Sequence, residues 1–138
     1  MKNKYQVIAD NVTGLMWLVF LKDHVTKVSW FDAFQFNDQV FDGLSNWRIP
    51  TIQEYLNLTT SLISQDVFSE GKKFWSCLPL DVYFTGKDGS TGVYYCAQYF
   101  DFEKREAGYD FRQSLYPILL VRGGDSTIYQ EMKLKRFD

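Results

Sequence analysis

Hydrophobic and polar positions follow two different rhythms along this chain, and the change comes near residue 70. Residues 5–9 alternate weakly, as a strand with one wetter face does. The segment 11–14 (Asn-Val-Thr-Gly) reads as a turn, and 15–21 is an unbroken apolar run short enough for a strand buried on both faces. Ser29 precedes Trp30-Phe31-Asp32 as a capping box, and apolar residues at 30, 33, 34, 40 and 41 predict a helix ending near Gly43. A second helix starts after Pro50, with Thr51 as N-cap and Glu54 at the reciprocal position. Its apolar face takes Ile52, Leu56, Thr59 and Ile63. Beyond residue 70, strand-like runs rich in Tyr, Phe and Val occupy 73–78, 82–84, 92–102 and 115–122. The stretch 86–92 is the obvious hairpin connection, and 127–137 alternates like one more strand. Two helices in the first half, packed on a twisted antiparallel sheet from the second, make an α+β fold. No repeat or linker divides residues 1–138, so a single domain is expected.

Composition sharpens this picture mainly through its aromatics: 12 Phe, 9 Tyr and 4 Trp in 138 residues. That much apolar surface belongs to a folded chain, not a disordered one. Fifteen basic residues against 17 acidic ones leave a net charge of −2, without the positive field a nucleic-acid binder needs. The run 15–21 falls far short of the roughly 20 apolar residues a membrane-crossing helix requires, so no membrane insertion is expected. The polar start, Met1-Lys2-Asn3-Lys4-Tyr5, lacks the apolar stretch of a signal peptide, which makes the cytoplasm the default expectation.

Four spaced elements carry a family resemblance. They are Asp10-Asn11-Val12-Thr13-Gly14-Leu15-Met16-Trp17, then Asn46-Trp47-Arg48-Ile49-Pro50-Thr51-Ile52-Gln53-Glu54-Tyr55-Leu56, then Phe74-Trp75-Ser76, and last Leu120-Val121-Arg122-Gly123-Gly124. In this order, over residues 7–124, the chain resembles the Lcl C-terminal domain family of bacteria and phages, a domain of unknown function. The second element is also similar to a stretch of the formylglycine-generating, sulfatase-modifying enzymes. Both relatives imply a C-type-lectin-like fold here. Cys77 stands where the family's third element usually has a second Ser, and 125–138 extend past its usual end as an extra strand or tail. Physical chemistry assigns the motif residues structural work. Gly14 permits the turn, Trp17, Trp47 and Trp75 anchor the core, Arg48 takes a carboxylate or backbone carbonyls, and Pro50, Thr51 and Glu54 start the helix.

Catalytic and metal chemistry find little support in the residues. The only histidine, His24, sits in a polar segment, and no metal-ligand spacing occurs, so neither a metal nor a cofactor is expected. Cys77 and Cys96 lack the cysteine pattern of the formylglycine-generating enzymes, which argues against an enzyme of that kind. They read either as two buried thiols or as one disulfide. Residues 94–102 are the most suggestive stretch. Period two puts Cys96, Phe100 and Phe102 on a core face, and Tyr95, Ala97, Tyr99 and Asp101 on an outward face. With Tyr109 and Asp110 close by, Tyr95, Tyr99 and Asp101 have the composition of a recognition surface, and Tyr116 is a further surface candidate. The expected partner is a protein or a glycan, and self-association into a homo-oligomer is the structural alternative. Members of the resembling family act in surface attachment, which points the same way.

Overall fold

The computed structural model describes residues 4–10, 13–21, 24–59 and 73–123. Two three-stranded antiparallel sheets carry the fold. In the first, β1 (Tyr5–Ala9) and β6 (Leu120–Arg122) flank β2 (Met16–Phe20). The β1–β2 connection closes on Asp10, whose carbonyl accepts the Gly14 amide at 2.8 Å while Gly14 sits at φ +76°. A side chain at that φ is strained, which is why glycine occupies the turn. The continuous apolar run 15–21 matches its expectation. Trp17 and Val19 point into one hydrophobic cluster and Leu18 into another, so β2 is buried on both faces.

The first helix is shorter than its apolar spacing predicts. Only α1 (Trp30–Ala33) is α-helical, and Phe34–Asp38 continues as a 3-10 helix. Trp30, Ala33 and Phe36 are spaced by three, and the three-residue turn of a 3-10 helix keeps such positions on one side. All three pack on the same cluster, so burial favours the tighter winding. Gly43, at φ +71°, shapes the turn between Phe41 and Leu44 instead of ending the helix. The helix α2 (Ile52–Thr59) starts as read: Thr51 Oγ1 accepts the Glu54 amide at 3.1 Å, and Glu54 Oε1 accepts the Thr51 amide at 2.9 Å. Its expected continuation to Ile63, like the run 127–137, lies outside the described residues.

The second sheet has the order β3 (Lys73–Thr85), β4 (Thr91–Asp101), β5 (Glu106–Phe111). Where the sequence suggests two strands broken near Pro79, β3 is continuous. A bulge between Trp75 and Pro79 absorbs the proline, whose missing N–H would otherwise interrupt the ladder. β5 carries no strong strand signal, because Glu106, Gly108 and Asp110 are poor strand formers. Pairing with β4 holds it in place. Of the run 115–122, only the end is strand, and Tyr116 makes an isolated bridge to Val28.

Two aromatic cores lie against the base of this sheet, one on each face. Phe74 and Phe100 meet Trp17, Tyr55, Leu58 and Leu119, with Tyr55 stacked on Phe100 at 5.4 Å between ring centroids. Trp75 and Ala97 meet Trp30, Trp47, Ile49, Ile118 and Leu120 on the other face. Three of the four indole N–H groups are fastened as well: Trp30 donates to the Ser76 carbonyl, Trp47 to Leu44 and Trp75 to Val28, whereas the buried Trp17 N–H has no partner among the described residues. Trp17, Trp47 and Trp75 are thus core anchors, as expected. Burial also drives the Tyr55 phenol well above its ordinary pKa, so it remains a neutral donor to the Trp75 carbonyl at 2.9 Å.

Arg48 bridges the motif elements. Its guanidinium makes a bidentate pair with Glu54 at 2.6 and 2.7 Å, and a third bond reaches the Gly123 carbonyl at 2.9 Å. Backbone bonds between Arg48 and Val121 tie the same residue to the edge of β6. Cys77 and Cys96 are free and buried, so the disulfide that the sequence leaves open is not formed. The register puts Cys96 opposite Leu80, beyond the bulge that contains Cys77.

Candidate binding surface

Beyond Leu80 and Cys96 the β3–β4 hairpin leaves both cores, and its two faces become surfaces. A compact turn closes it: Asp88 accepts the amide and hydroxyl of Ser90, and Gly89 takes φ +85°. The register sorts every residue of the three strands by parity. All charged positions within them (Lys73, Asp81, Asp101, Glu106 and Asp110) fall on one face. The other face carries none. At its open end it presents Val82, Phe84, Gly92, Tyr94, Tyr109 and Phe111.

On the uncharged face the aromatic rings form a diagonal row. Phe84 stacks on Tyr94 with centroids 4.6 Å apart, and Tyr94 meets Phe111 edge-on at 5.4 Å. Gly92 makes the first contact feasible, because a Cβ there would stand 2.5 Å from the Phe84 ring. All three rings remain partly open to solvent, and Tyr109 beside them is 55% exposed. Contiguous exposed aromatics of this kind are uncommon on a monomer surface unless something covers them.

The charged face is organised around Arg112, the first residue after β5. Its guanidinium lies 5.1 Å from the Trp30 ring and 5.6 Å from the Tyr95 ring, donates to the Cys96 carbonyl and pairs with Asp81 at 2.7 Å. Tyr95 is 60% exposed and stands opposite Asp81 in the register. Tyr83, further out on the same face, is 79% exposed. Burial, helped by the negative field of Asp110, raises the Cys96 thiol, which disfavours its reactive thiolate.

The recognition residues read from the sequence therefore divide. Tyr95 and Tyr109 are exposed, on opposite faces of the sheet. Asp101 is a correction: it is only 4% exposed and its carboxylate caps the β4–β5 turn by accepting the Glu103 and Lys104 amides. Ala97 is fully buried, and Tyr99 is half-buried, tilted on Tyr116 at 5.1 Å beneath the Lys73 ammonium. Gly108 gives the Tyr99 ring its bed, since a Cβ there would come within 2.4 Å of it. Tyr116, a surface candidate in the sequence, is also half-buried and packs edge-on against Trp75. Alternation misassigned these residues because it assumes one wet face, whereas this end of β4 is buried on both. Phe84, Tyr94, Phe111, Tyr83 and Arg112 were missed, although the alternation of 80–84 around a hairpin signal held part of the clue.

Asp110 is half-buried and committed to structure: its carboxylate accepts the Tyr116 hydroxyl and the Phe111 amide. Burial opposes its ionisation, but these bonds outweigh it and hold its pKa below the ordinary aspartate value. A depressed folded pKa adds stability that is present above about pH 3.9 and disappears as pH falls through the lower folded value. Asp110→Asn is therefore expected to flatten the acid limb of a stability-versus-pH curve. Equal limbs for both proteins in urea titrations would refute that role.

The model of the Lcl C-terminal domain family matches residues 6–122. Among solved structures, the chain is similar to EMS16, described as an antagonist of the collagen receptor integrin α2β1 (GPIa/IIa). The TM-score is 0.56 at 14% identity, covering 86% of this chain and 97% of that one. No curated protein matches. At that identity the likeness bears on the fold, which is α+β and C-type-lectin-like.

Proposed function

The chain belongs to the Lcl C-terminal domain family, and on that premise we propose that it is a non-catalytic recognition module whose ligand, a protein, seats on the open end of the β3–β5 sheet. The observation that carries this reading is the uncharged face, where the Phe84–Tyr94–Phe111 row and Tyr109 are exposed together. Aromatic side chains presented on a rigid sheet bind at low entropic cost, and they dominate the energetics of protein interfaces. The neighbour EMS16, an integrin antagonist by description, offers an analogy for protein binding on this fold. The buried, thiolate-disfavouring setting of Cys96 supports a binding role over a cysteine-based oxidase.

Screening the purified chain on protein and glycan arrays tests the reading. A protein hit should weaken at least tenfold in the Tyr94→Ala/Tyr109→Ala double variant while near-ultraviolet circular dichroism stays native, given that central aromatic truncations typically cost 2 kcal/mol or more. A hit indifferent to both tyrosines overturns it, and a glycan hit that depends on them replaces the protein ligand by a sugar. The same uncharged face suits a second copy of the chain. Light scattering separates that reading, because a strict monomer at high concentration removes it.

A further inference from the structure

We propose that the opposite, charged face of the β3–β4 hairpin receives an arginine or lysine side chain from a basic, extended polypeptide segment, between Tyr83 and Tyr95 and against Asp81. This rests on the reading of the hairpin end as a recognition surface, but it concerns the other face and a different chemistry.

Charge complementarity carries the argument. On this face the strands carry four carboxylates (Asp81, Asp101, Glu106 and Asp110), of which Asp101 is buried, against Lys73 and the adjoining Arg112. Acidic excess on a sheet face selects for cations and repels phosphate-bearing or acidic partners. Asp101 and Asp110 are spent on the β4–β5 turn and on Tyr116, which leaves Asp81 as the carboxylate beside the exposed tyrosines. Only its Oδ1 is engaged, by Arg112, and the side chain remains 36% exposed. Among the described residues Oδ2 has no hydrogen-bond partner.

Arg112 shows in place what this chemistry does with a cation. Its guanidinium already lies against both the Tyr95 ring and the Trp30 ring while pairing with Asp81. Towards the hairpin end the register repeats the ingredients, with Tyr83 in place of Trp30. Tyr83 lies two positions from Asp81 on the same face, opposite Val93, and is the most exposed aromatic described. A cation held there has a ring quadrupole and a free carboxylate oxygen together. One exposed cation–π contact is too weak to retain a free amine. The occupant is therefore a polypeptide, whose neighbouring residues add contacts along the strand direction.

Fluorescence anisotropy of a labelled peptide of alternating Arg and Gly, titrated with the full chain at low and high salt, tests the proposal. The Arg–Gly peptide is expected to bind, to weaken with salt, and to exceed a matched Glu–Gly peptide. Tyr83→Ala should weaken it about 2–5-fold and Tyr83→Phe should restore it, because the ring and not the hydroxyl makes the contact. Asp81→Asn should lower both affinity and salt dependence, and Val40→Ala, at an exposed position outside both sheets, should change neither. The proposal is overturned by absence of binding, by equal binding of the Glu–Gly peptide, or by an unaffected Tyr83→Ala. A protein hit that still depends on Tyr94 and Tyr109 after such a failure would leave the function proposed above intact.

Discussion

Replacing Arg48 by alanine is expected to destabilise the chain by about 3–5 kcal/mol, because it leaves the Glu54 carboxylate buried without its partner. Both side chains are largely shielded from water, at 8% and 14% exposure. Glu54 has already given one oxygen to the Thr51 amide, so it cannot turn outward without uncapping α2. Arg48 also holds the Gly123 carbonyl after β6, and its loss unfastens the second motif element from the fourth. Lysine is not a substitute, since one ammonium cannot span the two carboxylate oxygens and the carbonyl in one plane. The double variant Arg48→Met/Glu54→Leu is expected to cost less than Arg48→Ala alone. It removes both charges instead of stranding one. Urea denaturation of the three proteins checks this, and a double variant less stable than the single one would falsify the account.

Trp75→Ala is expected to lose a similar amount, about 3–5 kcal/mol, from the cavity it opens. The indole is fully buried, meets Tyr116 edge-on at 4.9 Å, and donates to the Val28 carbonyl at 2.8 Å. That bond attaches the segment before α1 to the centre of the second sheet. Trp75→Phe keeps most of the ring volume and isolates the hydrogen bond, so a smaller loss of about 1–2 kcal/mol is expected for it. The midpoint of urea unfolding should fall in that order, with an unchanged slope. A Trp75→Ala loss no larger than that of Trp75→Phe would mean that the surrounding aromatics close the cavity.

How far the sequence could be read depended on whether a signal was local. The Thr51–Glu54 box, the Gly14 turn and the 86–92 hairpin each involve residues a few positions apart, and each formed as expected. The family resemblance added the order of elements that local rules cannot supply. Failures gathered where two distant segments share a surface. Strand β5 exists through its partner β4, the 3-10 helix through the cluster that Phe36 joins, and the continuity of β3 through a bulge at Pro79. The recognition face suffered most. Alternation placed Tyr99 and Asp101 outward, but two separate cores cover that end of β4 from both sides.

What the sequence by itself determined was therefore the α+β class, the capped second helix, the tryptophan anchors and the engagement of Arg48 by a carboxylate or backbone carbonyls. Each follows from short-range hydrogen bonding or from the hydrophobicity of single residues. Tertiary structure alone decided which aromatics are free. A strand pattern defines two faces without saying how far along the strand each is covered, and coverage depends on elements many residues away. On this chain the cover stops near Leu80 and Cys96. Phe84, Tyr94 and Phe111 thereby became an exposed row and Tyr83 and Tyr95 a charged-face pair, whereas Tyr99, alike in chemistry, became part of the core packing.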